Sequence, residues 1–164
     1  MAKASRGAGP TAAVALLARE RVAFTVHEYA HDPAAASYGL EAAAALGRDP
    51  DQVFKTLLVV HERDWAVAVL PVSARLSLRA AAAALGWKRA ALAEPRLAER
   101  RTGYVVGGIS PLGQKTPSPT LLDDSAEAWP TVLVSGGRRG LDVELAPGDL
   151  VRLTGAVVAP IARA

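Results

Sequence analysis

The loop Gly107-Gly108-Ile109-Ser110-Pro111-Leu112-Gly113-Gln114-Lys115 gathers the residue types best suited to hold a reacting group. Its three glycines permit positive φ and let a ligand approach the backbone closely. Pro111 fixes its own φ and removes one N–H. The remaining N–H groups can converge on an anion or a developing oxyanion. The same composition also suits a tight connection between two strands. Two features favour chemistry over a mere connection. One is a second loop of the same kind, Ser135-Gly136-Gly137-Arg138-Arg139-Gly140. The other is a lone lysine inside the strand-like run Val53-Phe54-Lys55-Thr56-Leu57-Leu58.

Strand alternation places Val53, Lys55 and Leu57 on one face and Phe54, Thr56 and Leu58 on the other. Both faces carry apolar residues, so Lys55 leaves a partly buried face. Its side chain either reaches solvent or ends in a cleft. In a cleft the ammonium would hold a carbonyl, a ribose or a phosphate, or act as a base if its pKa were depressed. Asp142 follows the second glycine loop, between Leu141 and Val143. It is either a strand-end carboxylate bonded to backbone N–H groups, or a partner for Lys55 or for a substrate amino group. Ser135 offers a hydroxyl with no adjacent histidine to activate it, which suits binding rather than attack. Ser110, within Gly-Ile-Ser-Pro-Leu, lacks the strand–elbow–helix pattern of a hydrolase nucleophile. Tyr29 and Tyr38 flank the His31-Asp32-Pro33 turn. His27, His31 and His61 lack the spacing of a metal triad, so neither a metal nor another cofactor is expected. Lys115, Arg138 and Arg139 are rim charges able to meet phosphate, as are Arg100 and Arg101, although a solvated surface position is the default for each.

The elements that must position these residues belong to one domain of 164 residues. Hydrophobic residues make up 51% of the chain and aromatics only 5%, so the core is built from Ala, Val and Leu. The formal net charge of +3 suits a polyanionic partner without requiring one. The absence of cysteine excludes a disulfide framework, Cys-ligated zinc and a protein thiol nucleophile. No apolar run is long enough to span a bilayer, and residues 1–10 read as a flexible basic arm rather than a secretory signal, which points to a cytoplasmic protein. Residues 11–164 read as the domain proper.

Thr11 caps a helix to about Arg21, followed by a strand over Ala23–His27, on which His27 faces solvent. Tyr38–Leu46 is a helix closed by Gly47. Val53–Val60 and Trp65–Leu70 form a hairpin. Ser77 caps a helix over Leu78–Leu85, and a short strand lies within Trp87–Leu92. Pro95 opens a helix to about Arg101. Short strands follow at Gly103–Val106 and Thr120–Asp123, then a helical turn over Ser125–Trp129. Thr131–Val134 pairs with Leu141–Leu145, and Val151–Thr154 and Val157–Ile161 are edge strands. Helices and strands mix without a βαβ repeat, which implies an α+β domain with a mixed sheet.

Three runs carry a resemblance to a known family. They are Asp51–Val59, Arg101–Tyr104 through Gly113-Gln114-Lys115, and Ser135-Gly136-Gly137 through Leu141–Leu145. Their order and spacing resemble the YbaK/EbsC family, trans-editing aminoacyl-tRNA deacylases similar to the editing insertion domain of bacterial prolyl-tRNA synthetases. The likeness runs from about Thr11 to Ala162 and is greatest to the Cys-tRNA(Pro) deacylases. It implies a curved, barrel-like mixed sheet flanked by helices, aminoacyl-tRNA as substrate and prolyl-tRNA synthetase as partner. It also implies a reaction in which the substrate's own thiol attacks its carbonyl. Lys55 falls on the family's essential lysine, while Tyr29, Tyr38, Thr56, Gly107, Gly108, Ser135 and Asp142 fall on functional positions. Tyr38 stands where relatives often carry Phe.

Overall fold

The computed structural model describes residues 9–164, so residues 1–8 of the expected basic arm lie outside the described residues. The elements run α1 (Ala12–Arg19), β1 (Thr25–Glu28), α2 (Tyr38–Leu46), β2 (Phe54–His61), β3 (Asp64–Pro71), β4 (Arg75–Leu76), α3 (Leu78–Leu85), β5 (Ala91–Leu92) and α4 (Pro95–Thr102). Then come β6 (Thr120–Asp123), a 3₁₀ turn (Asp124–Ala128), β7 (Val132–Arg138), β8 (Leu141–Leu145), α5 (Pro147–Thr154), β9 (Val157–Ala159) and β10 (Ala162–Arg163).

Cap chemistry sets the helix boundaries. Thr11, Ser37 and Ser77 each accept the N–H three residues on, and Gly47, Gly86, Gly103 and Gly155 close helices in the left-handed conformation. The largest sheet has the order β5-β2-β3-β6-β9, with β2 and β3 paired antiparallel over their whole length. β6 and β9 add parallel to β3. The strands β1-β8-β7 form a separate antiparallel sheet, and β10-β4 a small third one. A single parallel bridge, Val53 to Leu133, joins the first two sheets where β2 begins.

The sheets are mixed as expected but are not closed into a barrel among the described residues. Two short strands were expected where none forms. Gly103–Val106 is a turn, because α4 runs to Thr102 and the Glu99 carboxylate takes the Val106 N–H at 2.8 Å. Val151–Thr154 is the last half of α5, for which Pro147 supplies the first turn and Gly155 the end. His27 does not face solvent freely, since its Nε2 meets Glu144 Oε1 at 2.8 Å.

Alternation along β2 divides the core. Phe54 and Leu58 enter the main cluster with Val67, Leu122, Val134 and Val143, while Leu57 packs against Ala68, Leu70 and Ala81 on the other face. Ala42 and Ala43 of α2 seat on Val53, Val72 and Leu133. Alanine lets these helices lie close to the sheets with few aromatics to fill gaps. At Gly39 even a methyl is excluded, as a Cβ there would stand 2.3 Å from Val72 Cγ1.

Asp123 fastens the C-terminal segment. It is 3% exposed, and one carboxylate oxygen accepts the N–H groups of Ile161 at 2.9 Å and Ala162 at 2.8 Å, while the other accepts from Ser125. Hydrogen bonds to a charged acceptor are worth about 1.5–3 kcal/mol each, and removing the acceptor strands buried donors. Asp123→Ala therefore lowers stability by about 3 kcal/mol, measured as the midpoint shift in urea, and an unchanged midpoint would refute this fastening role.

Candidate active site

The cleft of about 410 Å³ lies where β2, β7 and β8 approach, closed by the first turn of α2, the start of α4 and the glycine loop. Lys55, Thr56, Tyr29, Tyr38, Gly107, Ser135 and Asp142 all line it. Residues far apart in sequence meet here because β2 brings Lys55 and Thr56, while the β7–β8 pairing sets Ser135 directly opposite Asp142.

Lys55 Nζ donates to the Ala74 carbonyl at 2.7 Å. That bond uses one of its three protons and aims the ammonium. Burial lowers the Lys55 pKa, and the nearby Arg75 charge lowers it further. Thr56, its neighbour, has a buried hydroxyl with no hydrogen-bond partner among the described residues. An orphaned hydroxyl in a cleft wall costs stability unless a ligand or water meets it.

Asp142 is 5% exposed, and burial raises its pKa from 3.8 to about 7. It shares a face of β8 with Glu144, and their environments differ sharply. Burial also disfavours ionised Glu144, but hydrogen bonds from Thr131, Arg48 and His27 outweigh that and bring its pKa to about 2. No described side chain makes such bonds to Asp142, and it forms no ion pair with Lys55. Desolvation comes first in raising the Tyr29 phenol to about 12, followed by the Asp142 and Glu41 carboxylates. The cleft thus holds a carboxyl with no hydrogen-bond partner among the described residues and an ammonium tied only to a carbonyl, the kind of perturbed groups that gather at functional sites.

The two loop glycines do different work. Gly107 has φ +91°, and a Cβ on it would lie 2.7 Å from the Tyr38 ring. Gly108 donates its N–H to Val105 at 2.8 Å, so this N–H is turned away from the cleft. A Cβ on Gly108 would strike the Arg138 backbone at 2.7 Å. The loop is braced by Tyr104, whose hydroxyl donates to the Leu112 carbonyl at 2.6 Å. Ser135 is likewise engaged, its hydroxyl accepting the Gly137 N–H at 3.1 Å.

Tyr38 stands between His31, 5.7 Å between ring centroids, and Arg139, 5.1 Å from its centroid. Arg139 Nε in turn donates to Val106 at 2.9 Å. The stack ties α2 to the glycine loop across the mouth, a contact with no signal in sequence spacing. Ala74 and Arg75, which surround Lys55, were equally invisible. Of the three rim charges, Arg139 reaches the mouth, Arg138 pairs with Glu28 at 3.0 Å, and Lys115 sits at the loop's base, its N–H bonded to Thr102 at 2.9 Å. The three histidines are dispersed, each beside its own glutamate. Among the described residues no helix is long and apolar enough to cross a membrane.

Residues 32–153 match the family described as aminoacyl-tRNA editing domain. A protein of Enterococcus faecalis with the proposed activity Cys-tRNA(Pro)/Cys-tRNA(Cys) deacylase, EbsC, is 38% identical over 120 residues, 73% of each chain. A crystal structure of a proposed trans-editing enzyme for prolyl-tRNA synthetase superposes with a TM-score of 0.76 at 31% identity, covering 86% of this chain and 87% of that one. That of hypothetical protein APE2540 gives 0.80 at 27%, covering 90% and 96%. The chain belongs to the aminoacyl-tRNA editing domain family, enzymes that break the ester between an amino acid and tRNA.

The raised Asp142 pKa makes a stability prediction. The folded state holds a proton that the unfolded chain has released between 3.8 and about 7. The stabilisation is complete below the lower value and is lost as pH rises through the higher one. At about 1.36 kcal/mol per pH unit, the loss has a ceiling of about 4 kcal/mol. Asp142→Asn removes this titration, so its melting temperature exceeds that of wild type at about pH 8.5 and the gap closes towards about pH 5. Parallel profiles for the two proteins would contradict the assignment.

Proposed function

We propose that this aminoacyl-tRNA editing domain removes cysteine wrongly attached to tRNA(Pro), with the substrate's own thiol as nucleophile. The observation that carries the reading is the cleft's inventory. It offers an ammonium, an unpaired carboxyl and a backbone N–H, yet neither a histidine nor a cysteine lines it, and its Ser135 hydroxyl is already bonded. Such a site positions a reaction between two parts of a bound substrate rather than attacking it. Holding reactants in a near-attack geometry is worth up to about 7–11 kcal/mol.

The α-amino group of the aminoacyl ester sits against Asp142, which ionises fully when the ammonium arrives. Tyr29 and Tyr38 wall the amino-acid side chain. The Gly107 N–H faces the ester carbonyl oxygen, and Gly108 holds the turn that aims it. Lys55 binds the terminal ribose or its phosphate, and the Thr56 hydroxyl gains a polar partner. The cysteine sulfur forms a bond to the carbonyl carbon and the ester C–O bond breaks. The thiol proton passes to the departing ribose oxygen. The cyclic thioester then opens with water to free cysteine, so the net change is hydrolysis. Prolyl-tRNA synthetase, the source of the mischarged product, is the expected partner in the cytoplasm, and the expected contacts of Lys115, Arg138 and Arg139 with tRNA belong to the same proposal.

The test is deacylation of Cys-tRNA(Pro) and Ala-tRNA(Pro) side by side. Wild type releases cysteine and leaves alanine, and Lys55→Ala lowers cysteine release by about 10²-fold or more, the size of effect of a lost charge-stabilising donor. Release of alanine at a similar rate would mean that water attacks, and would overturn the thiol mechanism. Full activity in Lys55→Ala would remove the lysine from the reaction, and inactivity of wild type on both esters would overturn the cysteine reading in favour of another aminoacyl ester or a non-catalytic binding module.

A further inference from the structure

The chain's positive charge is concentrated in one place. From Trp65 to Ala93 the sequence holds four basic residues, Arg75, Arg79, Lys88 and Arg89, and no acidic one. Since the whole chain has 19 basic and 16 acidic residues, everything outside this segment is slightly acidic. All four side chains are exposed, and none forms an ion pair among the described residues. Elsewhere Arg19, Arg48, Arg138 and Arg152 do find carboxylates.

The fold turns this segment into a track that begins and ends at the cleft. Its first residue of note, Ala74, accepts the Lys55 ammonium, and Arg75 is close enough to depress that lysine's pKa. Arg163 pairs with Arg75 across β4 and β10 and adds a further cation. Arg79 of α3 then shares a surface groove with Trp87, Lys88 and Arg89, and Trp87 is stacked 6.1 Å from His61. Ala90 ends the groove, and Leu92 and Ala93, two and three residues on, are already cleft wall. At about 3.3 Å per strand residue the groove and the cleft are close neighbours.

We propose that this groove, formed by α3 and the Trp87–Ala90 segment, binds the phosphate backbone of the RNA whose aminoacyl end occupies the cleft. The inference rests on the aminoacyl-tRNA reading. It goes beyond it in adding an RNA contact over α3 to the expected contacts of Lys115, Arg138 and Arg139. Closely spaced cations that form no ion pair among the described residues match a polyphosphate chain, and Arg pairs with phosphate in bidentate fashion. The tryptophan face gives a flat surface beside them for a base or sugar. An acidic protein partner would meet the same charge without the salt dependence that counterion release from a nucleic acid produces.

The test measures binding of uncharged tRNA by fluorescence anisotropy between about 50 and 200 mM salt. Neutralising Arg79, Lys88 and Arg89 together to Gln weakens binding by about tenfold or more and flattens the salt slope by about 2. Replacing Arg79 and Arg89 by Lys retains most of the affinity. Release of cysteine from a short 3′-cysteinyl oligonucleotide, which does not reach the groove, stays at the wild-type rate. Unchanged affinity and slope in the triple variant would overturn the proposal. Uncharged tRNA needs no deacylation to bind. Wild type that binds it with a steep salt slope but releases no amino acid would therefore refute the editing reaction and leave the groove standing, and active enzyme with unaltered binding would do the reverse.

Discussion

The bridge between Val53 and Leu133 decides where chemistry can happen in this protein. It joins the five-stranded and three-stranded sheets at one point, immediately before Lys55. Leu133 donates to Gln52 at 3.1 Å and Val72 to Val53 at 2.8 Å, so β3, β2 and β7 are fastened side by side there. Beyond that point β2 takes β5 as its second partner, while β7 keeps only β8, with which it already pairs from Val132. The strands part company just as they carry Lys55 and Ser135. Were the sheet continuous through β2 and β7, no cleft could open between those residues. The absence of a closed barrel is thus the condition for the site.

An open cleft between sheets needs a cover, and α2 provides it under two constraints. At its far end Arg48 reaches Glu144 with two hydrogen bonds of 3.0 and 2.9 Å. At its near end Glu41 holds the preceding loop through His31 at 2.9 Å and the Asp32 N–H at 2.5 Å. Asp142 is buried beneath the helix so fixed. Glu144, two residues along the same strand, is surrounded by donors, whereas Asp142 has none. The contrast separates a carboxylate held ionised by donors from one that burial holds back from ionising. Burying the latter lowers stability at neutral pH, and in the proposed reaction the substrate's ammonium would restore that loss.

Much of this was legible beforehand because local chemistry and tertiary structure agreed. Ser77 with Gly86, and Pro95 with Gly103, mark their helices at both ends, and the apolar run from Val53 could only be an inner strand. Lys55, Tyr29, Tyr38, Thr56, Gly107, Ser135 and Asp142 were named from the sequence and the family resemblance, and all seven line one cleft. What could not be read were events decided by a distant partner. Gly103–Val106 looks like a strand until Glu99 claims its backbone, and Val151–Thr154 has strand-like residues but sits inside the helix that Pro147 begins. His27 alternates outward along β1, yet its diagonal neighbour across the β1–β8 pair is Glu144. The attachment of Lys55 to the Ala74 carbonyl has no sequence signature at all.

The paired glycines show why residue type alone left two roles tangled. Both suited an oxyanion donor, since both lack a side chain. Their surroundings separate them. Gly108 is glycine because the Arg138 backbone lies where its Cβ would be, and its N–H is consumed by Val105. Gly107 is glycine because its φ of +91° and the Tyr38 ring both exclude a side chain, and it lines the cleft. Packing therefore uses one glycine to fix the turn and leaves the other lining the cleft. The same contact makes the ring of Tyr38 a gauge of the loop. The ring in turn meets His31 on one side and Arg139 on the other. In the proposed reaction, selectivity for the amino acid at the mouth and donor placement at the carbonyl would therefore be set together, by the α2 first turn and the glycine loop.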